Sequence, residues 1–226
     1  MLTMTGLSKA YRTDTIETTA LDAVDLDIVD GEFVAIMGPS GCGKSTLLNV
    51  MGMLDSPTSG SYLFDGKEVA GLSEGQLADT RKRYIGFIFQ SFNLVDELSV
   101  RENVELALLY HDIPASERRQ RVDKVLDKVG IAHRAKHRPA QLSGGQQQRV
   151  AVARALVGEP KLILADEPTG NLDTAHGEEV MRMLRQLNQE GSTIVMVTHS
   201  PAHADYASRV VSMLDGRILQ ERRRAA

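Results

Sequence analysis

Short apolar runs recur along the chain and mark the predicted β-strands. Four of these runs have the length and residue types of strands buried in a sheet: 33–37, 85–89, 162–165 and 193–198. Nearer the start, polar and apolar positions alternate, which places Val24, Leu26 and Ile28 on one side of a strand. Residues 60–69 predict two further short strands around an Asp-Gly turn at 65–66. The pattern therefore predicts a first third that is rich in strands.

Helical periodicity dominates the middle of the chain. Ser99 and Glu102 form a capping box that opens a helix reaching about residue 109. A second helix is predicted over 116–129, with apolar side chains on one side and charged side chains on the other. Ser143 can cap a third helix that runs to about residue 157. Outside this block, helices are predicted over 77–83 and 177–190.

The order of these elements predicts an α/β fold. Strands and helices alternate along the chain except in the helical block, which a parallel sheet would carry as an insert. We expect a single domain over residues 1–226. Within it, 1–90 and 158–226 are expected to form a parallel-sheet core with an antiparallel N-terminal β lobe, and 91–157 a helical subdomain.

Composition argues against several classes of protein. Aromatic residues make up 4% of the 226 residues and Trp is absent, so we expect no stacking platform for nucleic acid. The net charge of −4 also argues against an electrostatic nucleic-acid binder. No run approaches the ~20 apolar residues of a membrane-spanning helix, and the start does not have the pattern of a signal peptide. If the chain serves transport, we expect another polypeptide to supply the passage.

A glycine-rich segment between a predicted strand and a predicted helix fits the pattern G-x-x-x-x-G-K-[ST], and we call it the phosphate loop. It consists of Gly38, Pro39, Ser40, Gly41, Cys42, Gly43, Lys44 and Ser45, with Thr46 opening the helix behind it. The glycines allow successive N–H groups to point at an anion, and the helix N-terminus adds its positive end. Lys44 would contact the β- and γ-phosphates, and Ser45 would offer a hydroxyl to Mg²⁺. The alternative is an ordinary glycine-rich turn.

The single cysteine, Cys42, lies inside the phosphate loop and fits a reducing cytosol. Two interpretations stay open. Its thiol could be open to oxidation near the nucleotide, or it could be a small side chain that fills a loop position.

The second candidate site element is a pair of acidic residues that follows the apolar run at 162–165. Asp166 and Glu167 end this run, and side chains at the carboxyl end of a buried parallel strand face the ligand crevice. Asp166 is expected to hold Mg²⁺, because hard cations prefer oxygen ligands. Glu167 would orient and deprotonate the attacking water. The alternative is a solvated acidic turn.

A third element, here called the signature segment, comprises Leu142 and the residues Ser143, Gly144, Gly145 and Gln146. Ser143 can cap a helix, and the two glycines let a phosphate approach its exposed N–H groups. Together with the phosphate loop and the Asp166-Glu167 pair, in this order, the segment makes the chain closely resemble the ATP-binding subunit of ABC (ATP-binding cassette) transporters over nearly its whole length. That resemblance implies a P-loop NTPase core of the RecA-like type, an ATPase activity, and ATP and Mg²⁺ as ligands.

The resemblance implies roles for further residues. Tyr11 matches the aromatic residue that stacks on adenine, although a lone Tyr is more often a core residue. Gln90 matches the glutamine that reaches Mg²⁺ and the attacking water. His199 matches the histidine that contacts the γ-phosphate, although it could equally be structural. Residues 171–173 match the loop that communicates across a dimer in which two subunits enclose two ATP molecules, each between one phosphate loop and the other subunit's signature segment.

Four stretches, 33–37, 90–94, 146–150 and 165–173, resemble one branch of the family. That branch includes macrolide exporters, lipoprotein-releasing complexes, antimicrobial-peptide resistance transporters and a cell-division complex. This resemblance implies a homodimer that powers a separate integral membrane permease from the cytoplasmic face of the inner membrane. A periplasmic or outer-membrane partner could act through that permease. Residues 92–104 are the expected docking surface, with Phe92, Leu94, Val95 and Leu98 as apolar contacts or, alternatively, as core. Val95 to Ser99 lacks the Pro often found in the branch, which leaves the identity of the partner open.

Two other functions compete with the transport ATPase. One is a soluble ABC-type ATPase of a non-transport complex, and the other is a module that senses ATP without turnover. The arginines at 222–224 are expected to be a solvated end, with attraction to anionic lipid as the alternative.

Overall fold

The computed structural model describes residues 1–12 and 16–223. An antiparallel sheet of four strands forms the N-terminal lobe, in the order β2-β1-β4-β5. Its strands are β1 (Leu2–Arg12), β2 (Glu17–Ile28), β4 (Ser59–Phe64) and β5 (Lys67–Glu68). The predicted alternation in β2 is confirmed, because Val24, Leu26 and Ile28 are all buried.

A second sheet of six strands forms the centre, in the order β10-β9-β3-β8-β7-β6. It contains β3 (Phe33–Met37), β6 (Ile85–Ile88), β7 (Leu162–Asp166), β8 (Thr193–Val197), β9 (Arg209–Leu214) and β10 (Arg217–Arg223). Five of these strands are parallel, and β10 pairs antiparallel with β9. The predicted α/β class with a P-loop NTPase sheet is confirmed. Since β3, β7 and β8 are parallel neighbours, their carboxyl ends meet at one edge.

Seven helices accompany the sheets in the described part of the chain. They are α1 (Lys44–Met51), α2 (Glu74–Tyr84), α3 (Val100–Glu105), α4 (Ala115–Lys128), α5 (Gly144–Leu156), α6 (Thr174–Gln189) and α7 (Pro201–Ala204). The capping box predicted at Ser99 is present, and Ser143 caps a helix as predicted, within a capping box of its own.

Three predicted helix boundaries were wrong, and one of them is the start of α2, which lies at Glu74 and not at residue 77. The helix from Ser99 ends at Glu105, and the chain tightens into a 3₁₀ turn over Leu106–Leu108. Helix α6 begins at Thr174 and not at residue 177, because the Asp173 carboxylate caps it by accepting from the His176 N–H at 3.0 Å.

Strands β9 and β10 were missed by the prediction, although their hairpin carries a recognisable signal. Asp215 and Gly216 both have positive φ, at 47° and 78°, as do Asp65 and Gly66 in the hairpin that was predicted correctly. Two consecutive residues with positive φ form the tight turn that Asp-Gly favours. Strand β10 extends through Arg223, so the expected solvated end is an exposed strand here; residue 224 lies outside the described residues.

Side chains leave the central sheet alternately on its two faces, and each face covers its own core. On one face, Ala35, Ile163 and Met196 pack with helices α3 to α6. On the other face, Ile36 and Leu164 pack with helix α1 and the antiparallel sheet. In the part of the chain that the structure describes, no helix is both long and apolar enough to cross a membrane.

Candidate functional site

The phosphate loop joins strand β3 to helix α1 along a path that two glycines permit. A Cβ on Gly38 would lie 2.3 Å from the carbonyl oxygen of Met213, and a Cβ on Gly43 would lie 2.3 Å from that of Ala20. Gly43 also has a φ of 100°, which is unfavourable for residues with a side chain. The loop is therefore held between strand β9 and the N-terminal sheet. Its curve brings the N-terminus of α1 to the edge where β3 ends.

Lys44 is buried within the curve of the phosphate loop. Its ammonium donates hydrogen bonds to the carbonyl oxygens of Gly38 at 2.9 Å and Pro39 at 2.8 Å. Cys42 is also buried, with its sulfur 4.0 Å from the Lys44 ammonium. Pro39, Ser40 and the remaining loop glycine, Gly41, are exposed. The loop thus presents open backbone on the outside and a concentrated positive charge within.

Asp166 and Ser45 approach each other from two elements. Asp166 ends strand β7, Ser45 lies in the first turn of α1, and their side chains hydrogen-bond. Burial raises the pKa of the Asp166 carboxyl, and the neighbouring negative charge of Glu167 raises it further. The Ser45 hydrogen bond and the Lys44 charge act in the opposite direction without cancelling the increase. A hydroxyl and a carboxyl thus lie together beside a lysine.

Glu167 follows Asp166 in an unusual backbone conformation. Its φ is 43°, in the left-handed region, and its N–H donates to the carbonyl oxygen of Val197 at 3.0 Å. One carboxylate oxygen lies 3.2 Å from Nδ1 of His199, which is mostly exposed. The ends of β7 and β8 therefore bring a carboxylate and an imidazole together.

Gln90 lies just beyond strand β6 and pairs with the loop that follows Glu167. Its amide nitrogen lies 3.4 Å from the side-chain oxygen of Asn171, and Asn171 donates back to the Gln90 carbonyl at 3.0 Å. This pairing joins two predicted functional segments that are far apart in the sequence.

Tyr11 lies on strand β1 beside the phosphate loop, and 43% of its surface is exposed. Its hydroxyl donates to the Asp55 carboxylate at 2.8 Å and also hydrogen-bonds the side chain of Thr46. The ammonium of Lys9 lies 4.9 Å from the centre of its ring. Tyr11 is therefore not a core residue, and it has a surface available to a ligand near helix α1.

The signature segment lies elsewhere, against the loop that leads into α6. The Ser143 hydroxyl accepts from the Gln146 N–H at 3.3 Å, and the Gln146 side chain accepts from the Ser143 N–H at 3.1 Å. A Cβ on Gly145 would lie within 2.5 Å of the His176 ring, and one on Gly144 would contact Leu172 at 3.4 Å. Within the described ranges, no hydrogen bond connects this segment to the phosphate loop. The structure thus does not bring these two predicted phosphate-binding elements together within one chain.

Two polar residues that the sequence prediction missed connect helix α5 to the site. Gln148 is fully buried and donates to the Pro168 carbonyl at 2.6 Å. Arg154 donates to the Phe92 carbonyl at 2.7 Å. A signal was available for the first of them: the buried positions of α5 follow helical spacing, and one of these otherwise apolar positions is a glutamine. Those positions include Gln148, Ala151, Val152 and Ala155.

The comparison with known proteins agrees with this geometry. Residues 21–170 match the family described as ABC transporter. The chain is 50% identical over 219 residues to the ABC transporter ATP-binding protein YknY of Bacillus subtilis (strain 168), covering 97% of this chain and 95% of that protein. It is 49% identical over 221 residues to the macrolide export ATP-binding/permease protein MacB of Azoarcus sp. (strain BH72). That match covers 98% of this chain but only 34% of MacB, so the chain spans about a third of the length of such relatives.

Solved structures show the same relationship. The dimeric post-hydrolysis state of the ATP-binding cassette MJ0796, bound to ADP and Pi, superimposes with a TM-score of 0.90 at 43% identity. The superposition covers 99% of this chain and 98% of MJ0796. Since both the family match and the nearly full-length relatives agree, the chain belongs to the ABC transporter family, as one of its ATP-binding and ATP-hydrolysing cassettes.

Proposed function

We propose that this chain is the ATPase subunit that powers a separate membrane permease, with the roles of its site residues assigned from their positions. The observation that carries the proposal is the convergence, at one sheet edge, of the phosphate loop with the ends of β7 and β8. Lys44 binds the β- and γ-phosphates, exchanging the carbonyls of Gly38 and Pro39 for phosphate oxygens. Tyr11 stacks on the adenine.

Magnesium is the metal that the family implies, and the donor set beside Lys44 fits it. Hard cations prefer oxygen ligands, and the Ser45 hydroxyl and Asp166 carboxyl already lie within hydrogen-bonding distance of each other. Ser45, Asp166 and Gln90 would hold the ion. When bound, it supplies positive charge that neutralises the phosphate oxygens.

Hydrolysis requires a positioned water molecule, and we assign its activation to Glu167. Its carboxylate accepts a proton from water as the water oxygen bonds to the γ-phosphorus. The bond between that phosphorus and the bridging oxygen breaks, which yields ADP and phosphate. His199, 3.2 Å from the same carboxylate, orients it and contacts the γ-phosphate, and Gln90 helps to orient the water.

Two chains complete each site in this proposal. The signature segment is a capped helix N-terminus that makes no hydrogen bond to its own phosphate loop among the described residues, and such an N-terminus binds anions well. We therefore assign Ser143, Gly144, Gly145 and Gln146 to the ATP bound by the partner copy. The dimeric cassette MJ0796 supports this assignment by its similarity.

A permease partner is supported by apolar side chains that the fold leaves exposed. Val95 is exposed within the predicted docking segment, and Leu109 and Tyr110 are exposed a few residues beyond it; Leu54 is exposed as well. Tyr110 and Leu54 also line a cavity of about 560 Å³. Leu94 packs partly against the core, which supports the core alternative for this side chain. Exposed apolar clusters of this kind mark interaction sites.

This partner would place the chain at the cytoplasmic face of the inner membrane. The similarity to the macrolide export protein MacB supports macrolide export. Export or mechanotransmission of peptide or lipoprotein type, with a periplasmic or outer-membrane partner reached through the permease, belongs to the proposal through the branch that the sequence resembles.

Affinity capture from detergent-solubilised membranes of the source cell tests the proposal. We expect the wild-type chain to recover an integral membrane permease, and Tyr110→Asp, at a side chain that is 77% exposed, to recover much less of it. Leu219→Asp is the matched control, because Leu219 is 62% exposed but lies on strand β10. Recovery of only soluble proteins would favour the non-transport ATPase and contradict the proposal.

A further inference from the structure

Helix α5 reaches the loop of the proposed catalytic glutamate through one buried side chain. The amide nitrogen of Gln148 donates to the carbonyl oxygen of Pro168 at 2.6 Å, and Pro168 directly follows Glu167. Gln148 has no exposed surface, and Pro168 is buried as well. The contact therefore lies one residue from the carboxylate and is shielded from water.

The backbone at Glu167 needs such support. Its φ of 43° is rare for a residue with a side chain, and a following proline further restricts the backbone of the residue before it. Conformations of this kind persist only where their surroundings hold them, and they cluster at functional sites. The Glu167 N–H is held by the Val197 carbonyl at 3.0 Å, and the Glu167 carbonyl accepts from the Gly170 N–H at 2.9 Å. The Gln148 amide holds the next peptide unit.

The Gln148 side chain is not explained by packing alone. Its oxygen is buried, and no hydrogen-bond partner for it exists in the described ranges 1–12 and 16–223. An unpaired buried amide oxygen destabilises the folded state, and an apolar side chain of similar size would avoid that cost. Its neighbours at helical spacing, Ala151 and Val152, are apolar. A polar residue at this position is consistent with a role for its one hydrogen bond.

We propose that Gln148 is a positioning residue that fixes the Glu167 carboxylate from helix α5 of the same chain. The inference rests on the proposed role of Glu167 as the catalytic base. Gln148 lies two residues beyond the signature segment and about one turn from Gly144, so the first turn of α5 connects a phosphate contact at that segment to the position of Glu167. The side chain acts through the Pro168 carbonyl and does not touch the nucleotide.

Gln148→Met tests the proposal, because it removes the amide while keeping the length of the side chain. We expect kcat for ATP to fall about 10- to 100-fold, as small misplacements of a catalytic group do, with the Kd for ATP within about twofold of wild type. Gln186→Met is the control, because the Gln186 amide also donates a hydrogen bond, to the Glu190 carboxylate at 3.0 Å, but lies on α6 outside the proposed site. We expect Gln186→Met to leave kcat within about twofold of wild type.

A double variant distinguishes an effect of Gln148 on the position of Glu167 from a general disruption of the fold. If Gln148 acts only through Glu167, adding Gln148→Met to Glu167→Gln lowers the residual single-turnover rate no further. The losses in rate from two residues that act as one unit are not additive. A further drop in the double variant, a raised Kd for ATP with unchanged kcat, or equal losses in the control would overturn the proposal. Gln148→Leu is measured in parallel, and failure of both variants to fold would likewise overturn it. The Glu167→Gln variant alone tests the proposed base, since wild-type hydrolysis by that variant contradicts the base and not the Gln148 contact.

Discussion

Arg154 donates a hydrogen bond from helix α5 to the carbonyl oxygen of Phe92 at 2.7 Å, across 62 residues of sequence. The same guanidinium also donates to the Asn93 carbonyl. Phe92 and Asn93 have φ values of 58° and 50°, so two consecutive residues adopt the left-handed conformation just after Gln90. Burial lowers the pKa of the Arg154 guanidinium. Helix α5 therefore supports both the turn beyond Gln90 and the loop beyond Glu167.

Replacing Arg154 by methionine is expected to destabilise the fold. The change leaves two backbone carbonyls without their charged donor, and hydrogen bonds to charged groups contribute about 1.5–3 kcal/mol. We expect the free energy of unfolding to fall by about 2 kcal/mol, measured by urea denaturation. Arg119→Met serves as the control, because Arg119 is an exposed arginine of α4. Equal stability of the Arg154 variant and this control would show that Arg154 does not stabilise the turn at Phe92 and Asn93.

A methyl group at position 170 is expected to affect turnover more than stability. A Cβ on Gly170 would lie 2.6 Å from the amide nitrogen of Gln90, the mobile end of a side chain that can move aside. We expect Gly170→Ala to lower kcat about tenfold, because Gln90 loses its position beside Asn171. The free energy of unfolding should change by less than about 0.5 kcal/mol.

Gly71→Ala provides the comparison, since a Cβ there would contact nothing within 4 Å. If Gly170→Ala hydrolyses ATP as fast as Gly71→Ala, the position of Gln90 does not limit the reaction.

The pH dependence of stability should carry a contribution from Asp55. Partial burial disfavours its charged form, but hydrogen bonds from Lys9 and Tyr11 outweigh burial and lower the pKa of the carboxyl. A folded-state pKa below the unfolded value adds stability that is present above about pH 4 and is lost as the pH falls through the folded pKa. Asp55→Asn should therefore cost about 1 kcal/mol at neutral pH and progressively less in acid.

Thermal unfolding across a pH series measures this difference. Asp112→Asn is the control, because Asp112 is exposed. A difference between wild type and Asp55→Asn that stays constant down to about pH 3 would rule out the ionised carboxylate as its source.

Loss of the Lys44 ammonium is expected to weaken ATP binding. A charge-assisted contact to phosphate contributes about 2 kcal/mol, so Lys44→Ala should raise the Kd for ATP about 30-fold in calorimetric titrations. Lys124→Ala, at an exposed lysine of α4, should bind ATP as wild type does. Unchanged affinity of the Lys44 variant would contradict the proposed binding of ATP phosphates by the phosphate loop.

Local sequence patterns predicted those parts of the site that lie within a few residues of one another. The phosphate loop, the Asp166-Glu167 pair and the Ser143 cap each combine a residue pattern with an adjacent strand or helix, so each could be located without the fold. The Asp215-Gly216 turn carried the same information as Asp65-Gly66, and its strands were missed although the signal was present.

Contacts between segments that are distant in the chain could not be predicted from the sequence. Gln148 and Pro168 are 20 residues apart, and Arg154 and Phe92 are 62 apart. Neither pair shares a local motif, because only the packing of α5 against the sheet brings the partners together. The start of α6 was misplaced for a related reason, since Asp173 was assigned to a communicating loop although its carboxylate also caps the helix.

We propose that Glu167 activates water in a site that two chains complete around ATP. The most direct test is to mix Glu167→Gln protein with saturating Mg-ATP and measure both its mass by sedimentation and its rate of ATP hydrolysis. We predict a stable dimer that retains ATP and hydrolyses it at least about 100-fold more slowly than wild type. A protein that stays monomeric, or that hydrolyses ATP at the wild-type rate, would contradict the account.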